Sequence, residues 1–248
     1  MAASAPQRTQ TGIIFEKRSS DSPYVESIWR SHSEDSGPFI SLALNRIQMV
    51  AWNQHGKTFF TVRGPETKAT PAFYPTHSDY VGIVLKCGAF MPQLPLAQLI
   101  DSAITLPDAT SGSFWLHGST WHYPTYDNAD TFVERLVRAG ALDFDTVVDA
   151  TLRGRQNADL SPRSAQRRFL RATGLTHSAI RQIERARYAT NLLRQGATIF
   201  DAVYQAGYFD QPHLTRALRY FVGQTPAQLM GRRTPEHLSF LYKTSPFD

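Results

Sequence analysis

Apolar and polar residues alternate along much of the first half of the chain, which is the pattern of strands with one buried face. The run 39–51 is predicted to form a strand whose apolar face is made of Ile40, Leu42 and Leu44. Pro and Gly recur throughout this half and divide it into short pieces. We therefore predict a β-rich domain over residues 13–140, preceded by a small, polar and disordered N-terminus over residues 1–12.

Two helices are predicted to close this domain. The first covers residues 96–103. The second covers residues 128–139, is capped by Asp127 or Asn128, and buries a stripe formed by Phe132, Val133, Leu136 and Val137. The polar segment 140–145 follows, and we predict a hinge there because the charge balance and the predicted type of secondary structure both change.

Beyond this hinge, apolar residues recur every three or four positions, which predicts consecutive helices. A short helix over 146–153 comes first. Ser161 then supplies a side-chain cap, and Pro162 the first helical position, for a helix that ends at Gly174. A helix of 19 residues over 177–195 follows.

A second pair of helices repeats this arrangement. Thr198 caps a short helix, residues 206–209 form a Gly-containing turn, and Asp210 caps a further helix. The core side of that helix carries Leu214, Ala217, Leu218 and Phe221. A helix, a tight turn and a second helix form a helix-turn-helix unit, whose second helix lies in the DNA major groove. The sequence predicts two such units, at about 146–175 and 198–222.

The second helix of each unit leaves a strip of polar side chains off its core face. Arg and Gln can make paired hydrogen bonds to guanine and adenine edges. The predicted DNA contacts are Arg163, Gln166 and Arg167 in the first unit and Gln211, His213, Thr215, Arg216 and Arg219 in the second. The connecting helix is ~28 Å long at ~1.5 Å per residue, close to the ~34 Å between successive major-groove faces. One chain is thus predicted to read two turns of one DNA face.

Composition adds an asymmetry of charge between the two halves. Residues 1–140 carry 11 Lys/Arg and 12 Asp/Glu, whereas residues 141–248 carry 15 and 9. The stretch 153–233 contains 14 arginines, no lysine and four acidic residues. Such a block fits a polyanionic partner, with bidentate Arg contacts to phosphate or guanine. Charge alone is equally compatible with a solvated basic face, so the helical spacing decides in favour of DNA.

The single cysteine, Cys87, excludes an internal disulfide.

Residues 146–232 resemble the C-terminal DNA-binding domain of the AraC/XylS family of bacterial transcription regulators. The stretches that carry the resemblance are SPRSAQRRFLRATG, RQIERARYATNLL and AGYFDQPHLTRALRYFVGQTP. The second unit is diagnostic and matches the family pattern at Ile199, Ala202, Gly207, Tyr208, Leu214, Arg216, Phe221, Gly223, Thr225 and Pro226. The first unit departs from the pattern at Gly154, Arg155 and Asp159. By position, the family's base-contacting surface falls on Arg163, Gln166, Arg167, Gln211, Thr215 and Arg216.

The resemblance implies a sequence-specific DNA-binding transcription regulator without enzymatic activity and without a cofactor. Its expected partners are double-stranded DNA, a small-molecule effector, RNA polymerase and a second copy of the chain in a homodimer. The implied location is the bacterial cytoplasm, at the nucleoid. The sequence has no run of ~18 apolar residues, so no membrane span is predicted.

The N-terminal stretches FTVRGPETKATPAFYP, VGIVLKCGAF and LPLAQLIDSAITLPD resemble the sensor or dimerisation domain of some family members. The expected fold class is α+β: a β-rich, barrel-like domain, then an all-α domain with two helix-turn-helix units joined by a long helix. Trp115, Trp121 and Tyr123 are candidate effector-binding residues, with core packing as the alternative. A second function also fits: a ligand-binding or enzymatic β-barrel with a helical tail for protein contacts.

Two weaker motifs lie in the same domain. Gly56-Lys57-Thr58 resembles the end of a phosphate loop, but Ala51 stands where the loop needs its first Gly. Several histidines could bind a metal, but they lack the His-x-His spacing of metal-binding barrels, so isolated histidines are favoured. These histidines are His55, His77, His117 and His122.

Overall fold

The structure of the chain is a computed structural model that describes residues 7–8, 13–155 and 160–231. The strands within these residues are β1 (Gln7–Arg8), β2 (Ile13–Ser19), β3 (Val25–Ser33), β4 (Gly37–Ser41), β5 (Gln48–Gln54), β6 (Lys57–Arg63), β7 (Thr70–Tyr74), β8 (Ser78–Leu85), β9 (Ala89–Phe90), β10 (Ala103–Thr105), β11 (Asp108–Thr110), β12 (Ser113–Leu116), β13 (Ser119–His122) and β14 (Asp143–Phe144). The helices are α1 (Ala129–Arg138), α2 (Thr146–Leu152), α3 (Pro162–Thr173), α4 (His177–Arg194), α5 (Ile199–Gln205), α6 (Gln211–Val222) and α7 (Pro226–Met230).

The largest sheet is antiparallel and has seven strands in the order β1-β2-β3-β8-β5-β6-β10. Ile83 in β8 lies opposite both Ile28 of β3 and Met49 of β5, which fixes the register of the three central strands. The end strands β1 and β10 have only two and three residues, so few main-chain groups are available to close the sheet. The predicted β-rich fold is confirmed, as an open sheet rather than a closed barrel. Smaller sheets are β11-β12-β13, β14-β9 and β4-β7.

The core of this sheet lies on the face that meets α1. Side chains alternate along strands, so one face carries the largest fully buried residues of the sheet, Ile28, Met49, Phe60 and Ile83. The Phe60 ring stacks on Phe114 at 4.2 Å and meets Phe132 of α1 edge-on at 5.8 Å. The predicted helix over 128–139 is confirmed as α1, with Phe132, Val133 and Leu136 buried and Val137 half-buried, but Asn128 precedes it without a side-chain capping bond.

The single strand predicted over residues 39–51 is wrong. β4 ends at Ser41, β5 begins at Gln48, and the two strands belong to different sheets. Leu42 and Leu44 are buried, although both lie in the connection between the strands. Apolar alternation therefore reported burial correctly, but it could not show that the run is divided between two sheets.

The helix predicted over residues 96–103 is also wrong beyond its first turn. A 3₁₀ turn covers Leu96–Gln98, and Ala103 instead pairs with Arg63 at the edge of the large sheet. Asp101 has a φ of 54°, a left-handed conformation that interrupts a helix. Pairing at the sheet edge thus outweighs the local helical preference.

The N-terminus is ordered at two of the positions where the sequence predicted disorder. Gln7 and Arg8 pair with Phe15 and Ile14 of β2. An edge strand needs only main-chain hydrogen bonds, so polar side chains do not prevent it. The other residues of 1–12 lie outside the described residues. No helix in the described part of the chain is long and apolar enough to cross a membrane.

Contacts divide the chain into two compact units, and each unit combines segments from both halves of the sequence. The sheet unit comprises Met1–Ser36, Arg46–Pro65 and Pro75–His177, and it therefore includes α2 and α3. The helical unit comprises Gly37–Asn45, Glu66–Tyr74 and Ser178–Asp248, and it therefore includes β4, β7 and nearly all of α4 to α7. The boundary of these compact units does not coincide with the domain boundary predicted after residue 140. That predicted boundary concerns which parts fold independently, and it stays a prediction.

Candidate nucleic-acid interface

The first candidate recognition helix, α3, begins and ends as its local sequence predicts. The Ser161 hydroxyl accepts a hydrogen bond from the Ser164 amide at 3.2 Å, and Pro162 is the first helical residue. Gly174 ends the helix with a φ of 71°, a left-handed conformation that glycine adopts without strain. Phe169 and Ala172 are buried. The predicted contact residues of this helix, Arg163, Gln166 and Arg167, are all exposed.

Asp145 joins α2 to α3. Its carboxylate accepts a hydrogen bond from the Val147 amide at 3.0 Å, which caps α2. The same carboxylate accepts two hydrogen bonds from Arg168 of α3, at 3.0 and 2.9 Å. Asp145 is only 6% exposed, so this bidentate pair is partly shielded from water. The polar segment 140–145 was predicted as a hinge, and it ends in a residue that fixes two helices.

α3 also packs against elements from the first half of the chain, all within the sheet unit. The Arg171 guanidinium lies 5.5 Å above the Phe90 ring of β9. Gly174 approaches the 3₁₀ turn so closely that a Cβ there would lie 3.2 Å from the Leu96 Cβ. Leu96 is buried. The first candidate recognition helix is therefore supported by residues about 80 positions upstream of it.

The second candidate recognition helix, α6, shows the same division into a core face and an exposed face. The Asp210 carboxylate accepts a hydrogen bond from the His213 amide at 2.7 Å, and Gly223 ends the helix with a φ of 75°. The fully buried face consists of Leu214, Leu218 and Val222. Of the predicted contact residues, Gln211, Arg216 and Arg219 are exposed, whereas His213 and Thr215 are half-buried.

Arg185 of α4 holds the turn that precedes α6. Its guanidinium lies 4.7 Å above the Tyr208 ring and donates a hydrogen bond to the Gly207 carbonyl at 3.3 Å. The Tyr208 ring meets the His213 ring edge-on at 5.1 Å. Burial raises the pKa of Tyr208 to about 12, although the positive charge of Arg185 acts in the opposite direction. The phenol therefore stays neutral at physiological pH, and Arg185 links the connecting helix to the first turn of α6.

Sequence reasoning did not find this role of Arg185. From sequence alone, an arginine on this long basic helix is compatible with either a phosphate contact or a solvated helix face. A signal was present, because Arg185 lies between the buried residues Ile183 and Ala186, at the edge of the core stripe. The partner in the turn is 22 residues away, so the helical period could not identify it.

The arginines of the two recognition helices differ in whether they already have partners. Arg168 and Arg171 are engaged, by Asp145 and by Phe90. Four other exposed arginines of these two helices have neither an acidic nor an aromatic partner among the described residues: Arg163, Arg167, Arg216 and Arg219. These four guanidinium groups are available to an external anion such as a DNA phosphate.

The candidate effector residues do not face one common site. Trp121 is buried, donates a hydrogen bond from Nε1 to the Leu116 carbonyl at 3.0 Å, and lies edge-on to a core phenylalanine. Tyr123 packs with Phe114 at 5.5 Å. Trp115 is 47% exposed and follows Phe114 in β12, so it points to the opposite face of the strand. Trp121 and Tyr123 thus share the core side, and Trp115 lies apart from them.

The histidines and the phosphate-loop triplet lie mostly at tight turns. His55 and Gly56, with φ of 50° and 75°, connect β5 to β6, and His117 and Gly118 connect β12 to β13 in the same way. A strand, rather than a helix, follows Gly56, so the triplet does not form a phosphate loop. Among the described residues, no three potential metal ligands lie together.

Comparison with known protein families supports the predictions made for α3 and α6. Residues 156–232 match a family model described as a helix-turn-helix domain. This match covers α3 to α7 and therefore contains both candidate recognition helices. No match was found among curated proteins or among solved structures. The chain therefore carries a C-terminal helix-turn-helix domain of the AraC type, which supports a role as a DNA-binding transcription regulator.

Proposed function

We propose that one chain recognises its operator with two helices, α3 and α6, each lying in a major groove. The observation that carries this proposal is the unengaged arginine strip on each helix. Arg163 and Arg167 on α3, and Arg216 and Arg219 on α6, lie opposite a buried stripe and have no acidic partner among the described residues. Arginines in this position can pair with guanine or contact phosphates.

The length of α4 supports reading at two successive grooves. α4 is one helix of 18 residues, which is ~27 Å at ~1.5 Å per residue. Successive major-groove faces are ~34 Å apart. The two lengths are of the same order, which is compatible with reading at two successive grooves.

The test is selection of binding sites from a random duplex pool by the full chain, followed by footprinting. We expect two conserved motifs with centres about 10–10.5 base pairs apart, protected on one face of the DNA. A single motif of one half-site would contradict two-groove reading. Binding should also weaken steeply with salt, because phosphate contacts release counterions. A ligand-binding or enzymatic domain with a helical tail for protein contacts would show no such salt dependence.

We further propose that the N-terminal half regulates DNA binding, through a small effector or a second copy of the chain. The exposed Trp115 is the candidate of choice for a contact with an effector, since Trp121 is a core residue in contact with Phe132.

Trp121→Ala is expected to lower the free energy of unfolding by about 3–5 kcal/mol. Trp115→Ala is expected to leave stability and effector-free DNA binding near wild type and to abolish an effector response. Thermal unfolding measures the stability of the two variants, and operator binding in the presence of candidate effectors measures the effector response. Equal destabilisation by the two variants would assign Trp115 to the core.

A further inference from the structure

The structure assigns β4 and β7, two strands from the N-terminal half, to the DNA-reading part of the molecule, where we propose that they position the recognition helix α6. This inference rests on the proposed role of α6 in reading DNA. The contacts that carry it lie at the C-terminal end of α6 and all belong to the helical unit. Nothing in the helix-turn-helix sequence pattern includes these strands.

Two main-chain hydrogen bonds join the strand pair to α6. The last carbonyl groups of a helix have no partner within the helix. In this chain the Phe221 carbonyl accepts a hydrogen bond from the Ala43 amide at 2.9 Å, and the Tyr220 carbonyl accepts one from the Ala69 amide at 2.8 Å. Ala43 follows β4 closely and Ala69 directly precedes β7. The two strands therefore supply the donors that the end of α6 requires.

Apolar packing at the same place reinforces these hydrogen bonds. Leu42 is buried in one cluster with Leu214, Leu218 and Val222 of α6, and Ile40 packs against this cluster. Gly223 lies so close to β4 that a Cβ there would be 3.0 Å from a methyl group of Ile40. A larger residue would push the strand away from the helix end. Burial of Leu42 and the close approach at Gly223 thus hold α6 against β4.

The strand pair needs this support as much as α6 does. β4 and β7 have five residues each and form a two-stranded sheet, and an isolated pair of this size is marginally stable in water. Leu44 and Glu66 extend it by two main-chain hydrogen bonds of 2.8 Å, and the Ser41 hydroxyl donates to the Glu66 carboxylate at 2.6 Å. The pair and the helix therefore form one cooperative structure.

Short connections join β4 and β7 to strands of the large sheet. β4 lies between β3 and β5 in sequence, and β7 lies between β6 and β8, with three to six residues in each connection. All four flanking strands belong to the large sheet. The strand pair is therefore continuous in sequence with the large sheet on both sides.

Hydrogen exchange of the full chain without DNA tests the positioning directly. Ala69→Pro removes the amide that donates to Tyr220, whereas Ala69→Ser keeps it and serves as the matched control. Loss of one such bond should speed exchange of the amides in the last turn of α6 by about 2- to 12-fold. Operator affinity should fall in the Pro variant only. Unchanged exchange in Ala69→Pro would overturn the proposal.

A second pair of variants tests the apolar contact. Leu42→Ala should speed exchange in α6 by roughly 30-fold or more. Leu106→Ala removes an equally buried leucine of the sheet unit and should leave α6 exchange unchanged. Equal effects of the two variants on α6 would contradict the assignment of Leu42 to the recognition helix. Hydrogen exchange in α6 can respond as expected while the selection from random duplexes yields no operator. In that case the strands position α6, but the proposed function is wrong.

Discussion

Single arginines in this protein differ in whether a partner already holds them. Arg185 lies on a tyrosine ring, Arg168 is paired with a carboxylate, and Arg216 has no acidic partner among the described residues. A charge count treats these three side chains alike. Their contacts separate positioning residues from residues that are free to contact DNA.

Loss of Arg216 is expected to reduce sequence discrimination. A guanidinium at this position on α6 can pair with guanine O6 and N7, a contact that carries about 1–3 kcal/mol of discrimination. Arg216→Ala should therefore weaken binding to the selected operator more than binding to a scrambled site. Arg181, exposed on α4, is the control: Arg181→Ala should weaken both sites alike and reduce the salt slope by about 1 if it contacts phosphate. Equal weakening of both sites by Arg216→Ala would remove α6 from base reading.

Arg185 is expected to tolerate neither alanine nor lysine. Lysine keeps the charge but lacks the planar group that stacks on Tyr208 and donates to the Gly207 carbonyl. Both variants should lower operator affinity while the slope of affinity against salt concentration stays at its wild-type value. Titrations at two or more salt concentrations measure this. Full affinity in Arg185→Lys would instead indicate a simple electrostatic role.

At the scale of elements, each helix-turn-helix unit is held by contacts that a helical pattern does not contain. Asp145 links α2 to α3 in the first unit. Arg185 and the β4–β7 pair hold the two ends of α6 in the second. The sequence of the first unit departs from the family pattern at Gly154 and Arg155, yet its two helices are tied together by the buried carboxylate.

Asp145→Ala is expected to destabilise the first unit by roughly 2–3 kcal/mol, since it removes a helix cap and a bidentate charged pair together. Asp149→Ala in the same helix is the matched control. Asp149 forms an exposed pair with Arg153, four residues on, which contributes only about 0.3–0.5 kcal/mol. Urea unfolding of the full chain measures both changes. Similar shifts for the two variants would show that Asp145 contributes no more than a surface charge.

At the scale of the whole molecule, both candidate recognition helices rest on residues from the first half of the chain. α3 rests on Phe90 and Leu96, and the end of α6 rests on Ala43 and Ala69. All four supporting residues precede residue 140. A flexible hinge at residues 140–145, as predicted from the sequence, would allow residues 141–248 to fold and bind DNA alone.

The structure leads to the opposite expectation for that fragment. Residues 141–248 without the first half should unfold with low cooperativity and should bind the selected operator far more weakly than the full chain. The fragment loses the amide donors to α6 and the apolar cover from Leu42. Circular dichroism melting and operator titration provide the measurement. A fragment that melts cooperatively and binds like the full chain would show that these supports are dispensable.

The sequence alone determined the helices and their exposed faces, because the signals that set them act over a few residues. Ser161, Gly174, Asp210 and Gly223 begin and end α3 and α6 through local caps and left-handed turns. The 3.6-residue period then determines which side chains are left off the core. These local rules explain why the helix bounds and the exposed arginines could be predicted.

Only the tertiary structure decided which distant segments complete the recognition helices. Leu42 was correctly predicted to be buried, but its burial against α6 joins positions more than 170 residues apart. The same holds for Ala43 at the end of α6 and for Phe90 beneath Arg171. Local periodicity carries no information about such pairs, since the energy of a long-range contact depends on where the chain folds back rather than on its immediate neighbours.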